Sequence, residues 1–582
     1  MAHDWSAGDI AYGGYPTSHV FNFKRTSKGE LKLSRLKHLL WGDWIKVTDY
    51  SYADDPEADI RTDGEAALVA ETGETLVPVR VRGVDGYMEP ADLQKERLLE
   101  IVFVDVGQGD GALVVLPDDR KLVVDAGAGD NMYRYLNWRF AGFKKSNTDF
   151  DGIIVTHPDL DHYAGFQELF DNEDVSAKRV WHNGLVEQFG VSAAGAQSSS
   201  SAKLLGDTEV ENGQRYLTGL VETDEALAVL LADENRWVKK STRNPKRYPK
   251  LLHTAQSAKK PNGKRRFEKI EMLSIAHGEF SDGKTYVPGF APKPSRGFDI
   301  QILGPAVEMG DGAPRLPTFT SKPQEKTTTL NTGKTKNGHS VLLKLHYRDL
   351  RLLFGGDLNA PAEMYLLNHY TGLPVHDRND APEDVVVNAA REVFHADVSK
   401  CCHHGSADFV DMFMETVNPV ATVVSSGDQE GHAHPRSDTL GAIGRNGRGR
   451  RSLIFSTELA RSTREFTDRE DTPWYKAVKL EAKADKETDP EKKAEMLKEV
   501  EQLKEWDRTN NVTVYGSINL RSDGRKVVMA YMLERPSASR RWDVYTLESV
   551  GGGPLSYVPV KEAEKREEER RRAAAENEGS DH

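Results

Sequence analysis

Cysteine is nearly missing from this 582-residue chain, which carries only Cys401 and Cys402. Neighbours in sequence cannot staple distant segments, so a disulfide framework is excluded and a reducing compartment is the natural setting. Long hydrophobic runs are also missing. No stretch reaches the roughly eighteen apolar residues of a membrane-spanning helix, so no membrane association is expected. The opening MAHDWSAGDIAYGG has no basic stretch followed by an apolar one, so it does not read as a secretion signal. A cytoplasmic protein is the expectation. An excess of positive charge is lacking too: 78 Lys and Arg stand against 91 Asp and Glu, a formal net charge of -13. That excludes a uniformly basic, histone-like binder but leaves room for a local basic patch.

What is present divides unevenly. Residues 1–95 hold short β-prone pieces (44–47, 66–70 and 75–81) punctuated by Gly, Asp and Pro. The stretch GETLVPVRVRGVDGYMEPADL suits a small, SH3-like β-barrel with no arrangement of catalytic residues, a candidate for recruiting a protein partner. From Leu98 the character changes. LLEIVFVDVG, KLVVDAG and FDGIIVTH are nearly continuous apolar runs, as in strands buried on both faces, and each ends in polar residues carrying Asp or His. Similar runs recur at 298–305, 339–345, 350–357 and 421–428, which gives an α/β catalytic domain over 98–540. Residues 186–298 read as an insertion and 475–510 as a helical excursion, with Asp489 and Pro490 starting a surface helix. Residues 541–582 form a charged extension whose tail is a solvated helix or disordered.

The segment THPDLDHYAG, residues 156–165, is the strongest chemical signal. It sets His157, Asp159, Asp161 and His162 in one loop directly after an apolar strand. Two imidazoles and two carboxylates packed together are costly unless a cation neutralises them, and a divalent metal does so.

The pattern H-x-D-x-D-H, preceded by Asp125-Ala126-Gly127, resembles the metallo-β-lactamase fold, in which the middle position is usually histidine. With Asp159 there, the chain is most similar to the metallo-hydrolase domain of ComEC-type DNA-uptake proteins and their soluble relatives. FVDVGQGDGALV, IQILGP, NGHSVLLKLHYRDLRLLFGGDL, SKCCHHGS and SSGDQEGHAHP resemble further motifs of that subgroup in order. The resemblance implies a four-layer αββα sandwich and two divalent ions, Zn²⁺ or Mn²⁺. One would be held by His157 and Asp159, the other by Asp161 and His162, with Asp357 bridging. Asp125 would orient a ligand from behind. One of His403 and His404 would close the second ion's shell, and His432 stands where the fold's final histidine often falls. Catalytic roles are assigned to Asp161, His404 and His434, and His339 is as well read as an ordinary polar residue before a strand. The two cysteines beside His403 are read as small buried hydrophobes, not metal ligands. Two such ions lower the pKa of a bridging water and stabilise developing negative charge, so the implied chemistry is hydrolysis by a bridging hydroxide.

The substrate is expected to be a phosphodiester, with DNA or RNA foremost. Residues 236–269 hold thirteen Lys or Arg against one acid, Glu268. Lys264, Arg265 and Arg266 are the chosen contacts, and Trp237, Tyr248 and Phe267 interleave the run as candidate stacking platforms. A second basic run, Arg436, Arg445, Arg448, Arg450 and Arg451, follows the last histidine motif. The alternatives are a hydrolase of a small phosphodiester or phosphorylated headgroup and, from another class, a partner-recruiting scaffold.

Overall fold

Apolar runs and glycine-rich breaks fold into two compact units in the computed structural model. It describes residues 5–580 except 26, 29–30, 49–75, 141, 144–147, 193–195, 199–203, 322–325, 376–380, 428–430, 459–472, 485, 511–515 and 550–552. The expected strand at 66–70 lies outside the described residues.

The first unit comprises residues 1–101, 116–119 and 519–582, so both ends of the chain belong to it. Its seven-stranded sheet runs in the order Leu31–Leu40, Thr17–Arg25, Val84–Met88, Val77–Val81, Trp44–Val47, Ile10–Gly13 and Leu93–Gln94, and curls as a half-barrel. Alternating side chains from these strands, among them Val20, Ile45, Val79 and Met88, make its core. Lys526–Met532, Trp542–Ser549 and Leu555–Val558 add an antiparallel ladder. The charged tail is helical over Val560–Ser580.

The second unit comprises residues 102–115 and 120–518. One sheet pairs Gly111–Val115 with Lys121–Ala126, then continues in parallel through Gly152–Ile154, Ser176–His182 and Phe267–Met272. The last strand comes from the region read as an insertion, so part of that region is structural sheet. The second sheet runs from Glu279–Ser281 through Lys284–Tyr286, Phe298–Gly304, Leu342–Tyr347, Leu350–Phe354, Val398–Lys400 and Ala421–Val424 to Leu453–Ser456. Its last four strands are parallel. Helices 131–139, 166–171 and 247–257 cover the first sheet, and helices 360–371, 383–394 and 411–417 cover the second. The sheets meet through Phe103 and Phe354, whose rings lie 6.0 Å apart, and through the Val341 amide donating to the Thr156 carbonyl at 2.9 Å. Parallel strands place their C-terminal ends at one edge, where loops can gather side chains from distant parts of the chain. His157, Asp357 and His403 follow such ends, and Asp125 is the last residue but one of its strand.

Among the described residues, no helix is long and apolar enough to cross a membrane. The helix expected near 489 runs Pro490–Asn510, with the Asp489 carboxylate accepting from the Glu491 amide at 3.0 Å.

Candidate metal centre

The loop after Gly152–Ile154 turns into a short helix, Leu160–Tyr163, that projects His162 inward. Gly109 makes the approach possible: with φ at +105°, its position would put a Cβ 1.7 Å from the Asp161 carbonyl oxygen. Only glycine lets the opening loop lie that close.

His162 and His404 form the middle of the site, both fully buried or nearly so. The Nδ1 of His162 lies 2.8 Å from Asp125, whose carboxylate also accepts from the Thr156 amide at 2.8 Å and its hydroxyl at 2.6 Å. The Nδ1 of His404 lies 3.1 Å from both the Ser425 carbonyl and Asp110. Carboxylates and carbonyls only accept, so each Nδ1 carries its proton and each Nε2 presents a lone pair. Those two Nε2 atoms are 3.2 Å apart, and Asp357 Oδ2 lies 3.2 Å from one and 3.1 Å from the other. Three electron-rich atoms this close repel unless a proton or a metal cation sits among them.

The surrounding groups carry the same signature. His157 Nε2 and Asp357 Oδ1 are buried with no hydrogen-bond partner, as is His403 Nδ1. His157 Nε2 stands 3.7 Å from Asp159 and 3.9 Å from Asp357, while His403 Nε2 is 3.9 Å from Asp357. Asp161 lies 3.6 Å from His404. Burial works against charge on His404, but Asp357 and Asp110 outweigh it and raise its pKa to about 10. Burial likewise opposes a charged His162, yet Asp357 and Asp125 hold its pKa well up. Burial pushes the Asp357 carboxyl up, and His162 and His404 bring it well below the usual range. Without metal, protons therefore do the neutralising. Ligand atoms of Asp110, His162, Asp357 and His404 all fall within 4.8 Å of one another, a donor set that fits a divalent ion.

The predicted residues are not brought together equally. His157, His162, His403 and His404 all lie within 3.9 Å of Asp357, with Asp159 beside His157 and Asp161 beside His404. His432 and His434 stand on the wall of the adjoining cleft, with their rings 5.7 Å apart and His434 6.3 Å from His404. Asp159 is paired with Lys336, which also reaches Glu187 at 2.9 Å. His339 is separate: its Nε2 lies 2.7 Å from the Pro317 carbonyl, its ring packs on Phe319, and burial lowers its pKa to about 4. Cys401 is buried and its thiol pushed up to about 12 by that burial, which suits a small hydrophobe.

Sequence reasoning missed Asp110 and Lys400. Both stand in the quoted motifs: Asp110 closes the glycine-rich loop just before strand Gly111–Val115, and Lys400 ends strand Val398–Lys400 just before the histidine pair.

The basic insertion departs from expectation in a different way. Tyr248 and Phe267 are fully buried and Trp237 nearly so, all within the core of the first sheet, so none is free to stack on a base. Arg266 is buried and donates to the carbonyls of Phe170, Asn172 and Val175, and Arg265 pairs with Asp224 at 2.5 and 2.9 Å. Those two side chains are committed to holding strand Phe267–Met272 in place. Lys264 is exposed.

Residues 104–193 match the family model described as Metallo-beta-lactamase superfamily. The matched stretch contains Asp110, Asp125 and the whole 157–162 motif. A search of curated proteins finds no match for the chain. The superfamily match and the buried His/Asp cluster together support a metal-dependent hydrolase.

Proposed function

We propose that this protein is a phosphodiesterase acting on nucleic acid, with two divalent ions, Zn²⁺ or Mn²⁺, at the Asp357 cluster. The observation that carries the reading is the cleft above that cluster. It has a volume of about 390 Å³ and, among the described residues, is lined only by polar side chains and glycines. Gln108, Asn331, Lys334, Asn337 and Ser426 offer donors, and beyond the imidazoles no aliphatic or aromatic side chain is available to hold an acyl chain or an apolar ring. An anionic, strongly hydrated group such as a phosphodiester suits this lining, whereas a lactam or thioester body does not.

Bound divalent ions would supply Lewis acidity and an activated water. The chain's own residues do the rest. Asp125 fixes the His162 tautomer, and Asp161 and His434 stand where a proton can be accepted or returned. Lys334, paired with Asp408 at the cleft wall, offers an ammonium to a phosphoryl oxygen. The exposed lysines of the insertion, Lys239, Lys240, Lys250, Lys259, Lys264 and Lys269, provide a sequence-independent grip on a polyanion. The first unit's half-barrel is assigned the recruitment of a protein partner.

The test is cleavage of single-stranded DNA, duplex DNA, RNA and a small chromogenic phosphodiester with added Zn²⁺ or Mn²⁺. Nucleic-acid cleavage that disappears in Asp161→Ala is expected. Neutralising Lys239, Lys240 and Lys264 together should weaken nucleic-acid binding, flatten its salt dependence by about 0.9 log units per lost phosphate contact, and spare the small substrate. Turnover of the small phosphodiester alone would overturn the nucleic-acid reading in favour of a headgroup hydrolase.

A further inference from the structure

We infer that Asp110 and Lys400 form a positioning pair for the metal centre: Asp110 aims His404 from behind without taking metal itself, and Lys400 supplies the buried cation that holds Asp110 there. The inference rests on the metal-centre reading above.

Three observations carry it. The site contains two parallel constructions, each with a buried carboxylate at a histidine Nδ1 and Asp357 at its Nε2. For His162 the carboxylate is Asp125, hydrogen-bonded at 2.8 Å; for His404 it is Asp110, in ion-pair contact at 3.1 Å beside the Ser425 carbonyl, which takes the Nδ1 hydrogen bond at the same distance. Such carboxylate–histidine pairs fix the tautomer and ring direction of a ligand. Asp110 therefore occupies the counterpart of Asp125, although its proximity to the cluster would also suggest a ligand.

The second observation is the space on each side. Asp110 and Lys400 line a small cavity of about 20 Å³, together with Asp125, Thr156, Gly356 and Ser425. A cavity of this size holds about one water and no hydrated divalent ion. Asp357 and His404 open onto the much larger cleft, whose lining does not include Asp110.

The third is what Lys400 ties together. Its ammonium is buried, pairs with Asp110, donates to the Gly356 carbonyl at 3.0 Å and lies 3.9 Å from Asp357 Oδ1. It also closes the strand Val398–Lys400 that leads into His403 and His404. One side chain thus fixes the opening loop, the strand end carrying Asp357 and the start of the histidine turn. A buried carboxylate without such a cation carries a heavy desolvation cost.

The experiment titrates Zn²⁺ into chelator-treated, full-length wild type, Asp110→Asn, Lys400→Met, Lys400→Arg and the charge-neutral double variant Asp110→Asn/Lys400→Met, read by calorimetry. Asp110→Asn should keep the wild-type stoichiometry and bind about 10–100-fold more weakly. Lys400→Met should weaken binding, and Lys400→Arg should recover part of it. The double variant should bind no more weakly than the poorer single, because Lys400 acts through Asp110. It keeps the test decisive if Lys400→Met fails to fold, since it leaves no buried charge unpaired. Loss of a bound ion in Asp110→Asn would make Asp110 a ligand and overturn the inference. Unchanged affinity in that variant, or fully additive losses, would overturn it as well. Absence of Zn²⁺ binding in wild type would instead sink the metal centre itself.

Discussion

Two buried carboxylates, one in each compact unit, are neutralised in opposite ways. In the first unit, Glu548 is almost fully buried. Tyr15 donates its hydroxyl to one oxygen at 2.7 Å, and the guanidinium groups of Arg566 and Arg570 each lie 3.6 Å from the other. Permanent cations of the chain stand at that oxygen, although it makes no hydrogen bond of its own. In the second unit, Asp357 Oδ2 looks instead at imidazole nitrogens whose other sides are already committed, and Lys400, 3.9 Å from its Oδ1, is already paired with Asp110. The first arrangement is closed and structural. The second is finished only by something added, a proton or a metal ion. Neither burial of charge nor an unbonded carboxylate oxygen alone marks a functional site, since both carboxylates show them; neighbours that can exchange a proton for a metal do.

The largest effect that sharpens this contrast comes from the open cluster. His404→Ala should abolish hydrolysis and leave the circular dichroism spectrum essentially unchanged. Near-normal turnover in that variant would show that the cluster is not the reactive centre.

A second effect follows from protonation. His404 and His162 have raised pKa values in the metal-free fold, so their stabilising contribution is complete below the ordinary histidine value near 6.5. For His404 it is lost as pH rises through about 10. The melting temperature of chelator-treated protein should therefore fall between about pH 6.5 and 10 relative to metal-loaded protein. Parallel curves for the two forms over that window would contradict the account.

Gly109→Ala should cost roughly 1–3 kcal/mol and disturb the loop carrying Asp110, because the new Cβ meets the Asp161 carbonyl and the backbone is left-handed. Chemical denaturation and Zn²⁺ affinity should both change. The smallest effect is expected at the closed carboxylate. Tyr15→Phe removes one hydrogen bond to a buried group, worth about 1–3 kcal/mol, and should leave metal content and activity as they are.

Much of the site was readable because it is local. His157, Asp159, Asp161 and His162 lie within six residues, and their spacing alone implies convergence. The apolar strand runs were equally plain, since a strand buried on both faces leaves a continuous signature. Partners that meet only through the fold were not. Asp110 and Lys400 are 290 positions apart, and nothing in either local sequence says that they touch. Trp237, Tyr248 and Phe267 were misread because linear interleaving with lysines does not reveal which face a side chain takes. Two helices, Glu234–Trp237 and Arg247–Ser257, and the strand Phe267–Met272 turn these rings into the core, while Lys239, Lys250 and Lys264 stay outside. The joint N- and C-terminal unit was hidden for the same reason, because its pairings are long-range.

Elemental analysis of protein purified without added metal, set beside Asp357→Ala, tests the central claim most directly. The account predicts a stoichiometric divalent ion in the wild type, with two per chain as the proposed full complement, and its loss in Asp357→Ala at unchanged secondary structure. Wild-type protein that is metal-free and takes up neither Zn²⁺ nor Mn²⁺, or an Asp357→Ala variant that holds as much metal as wild type, would contradict it.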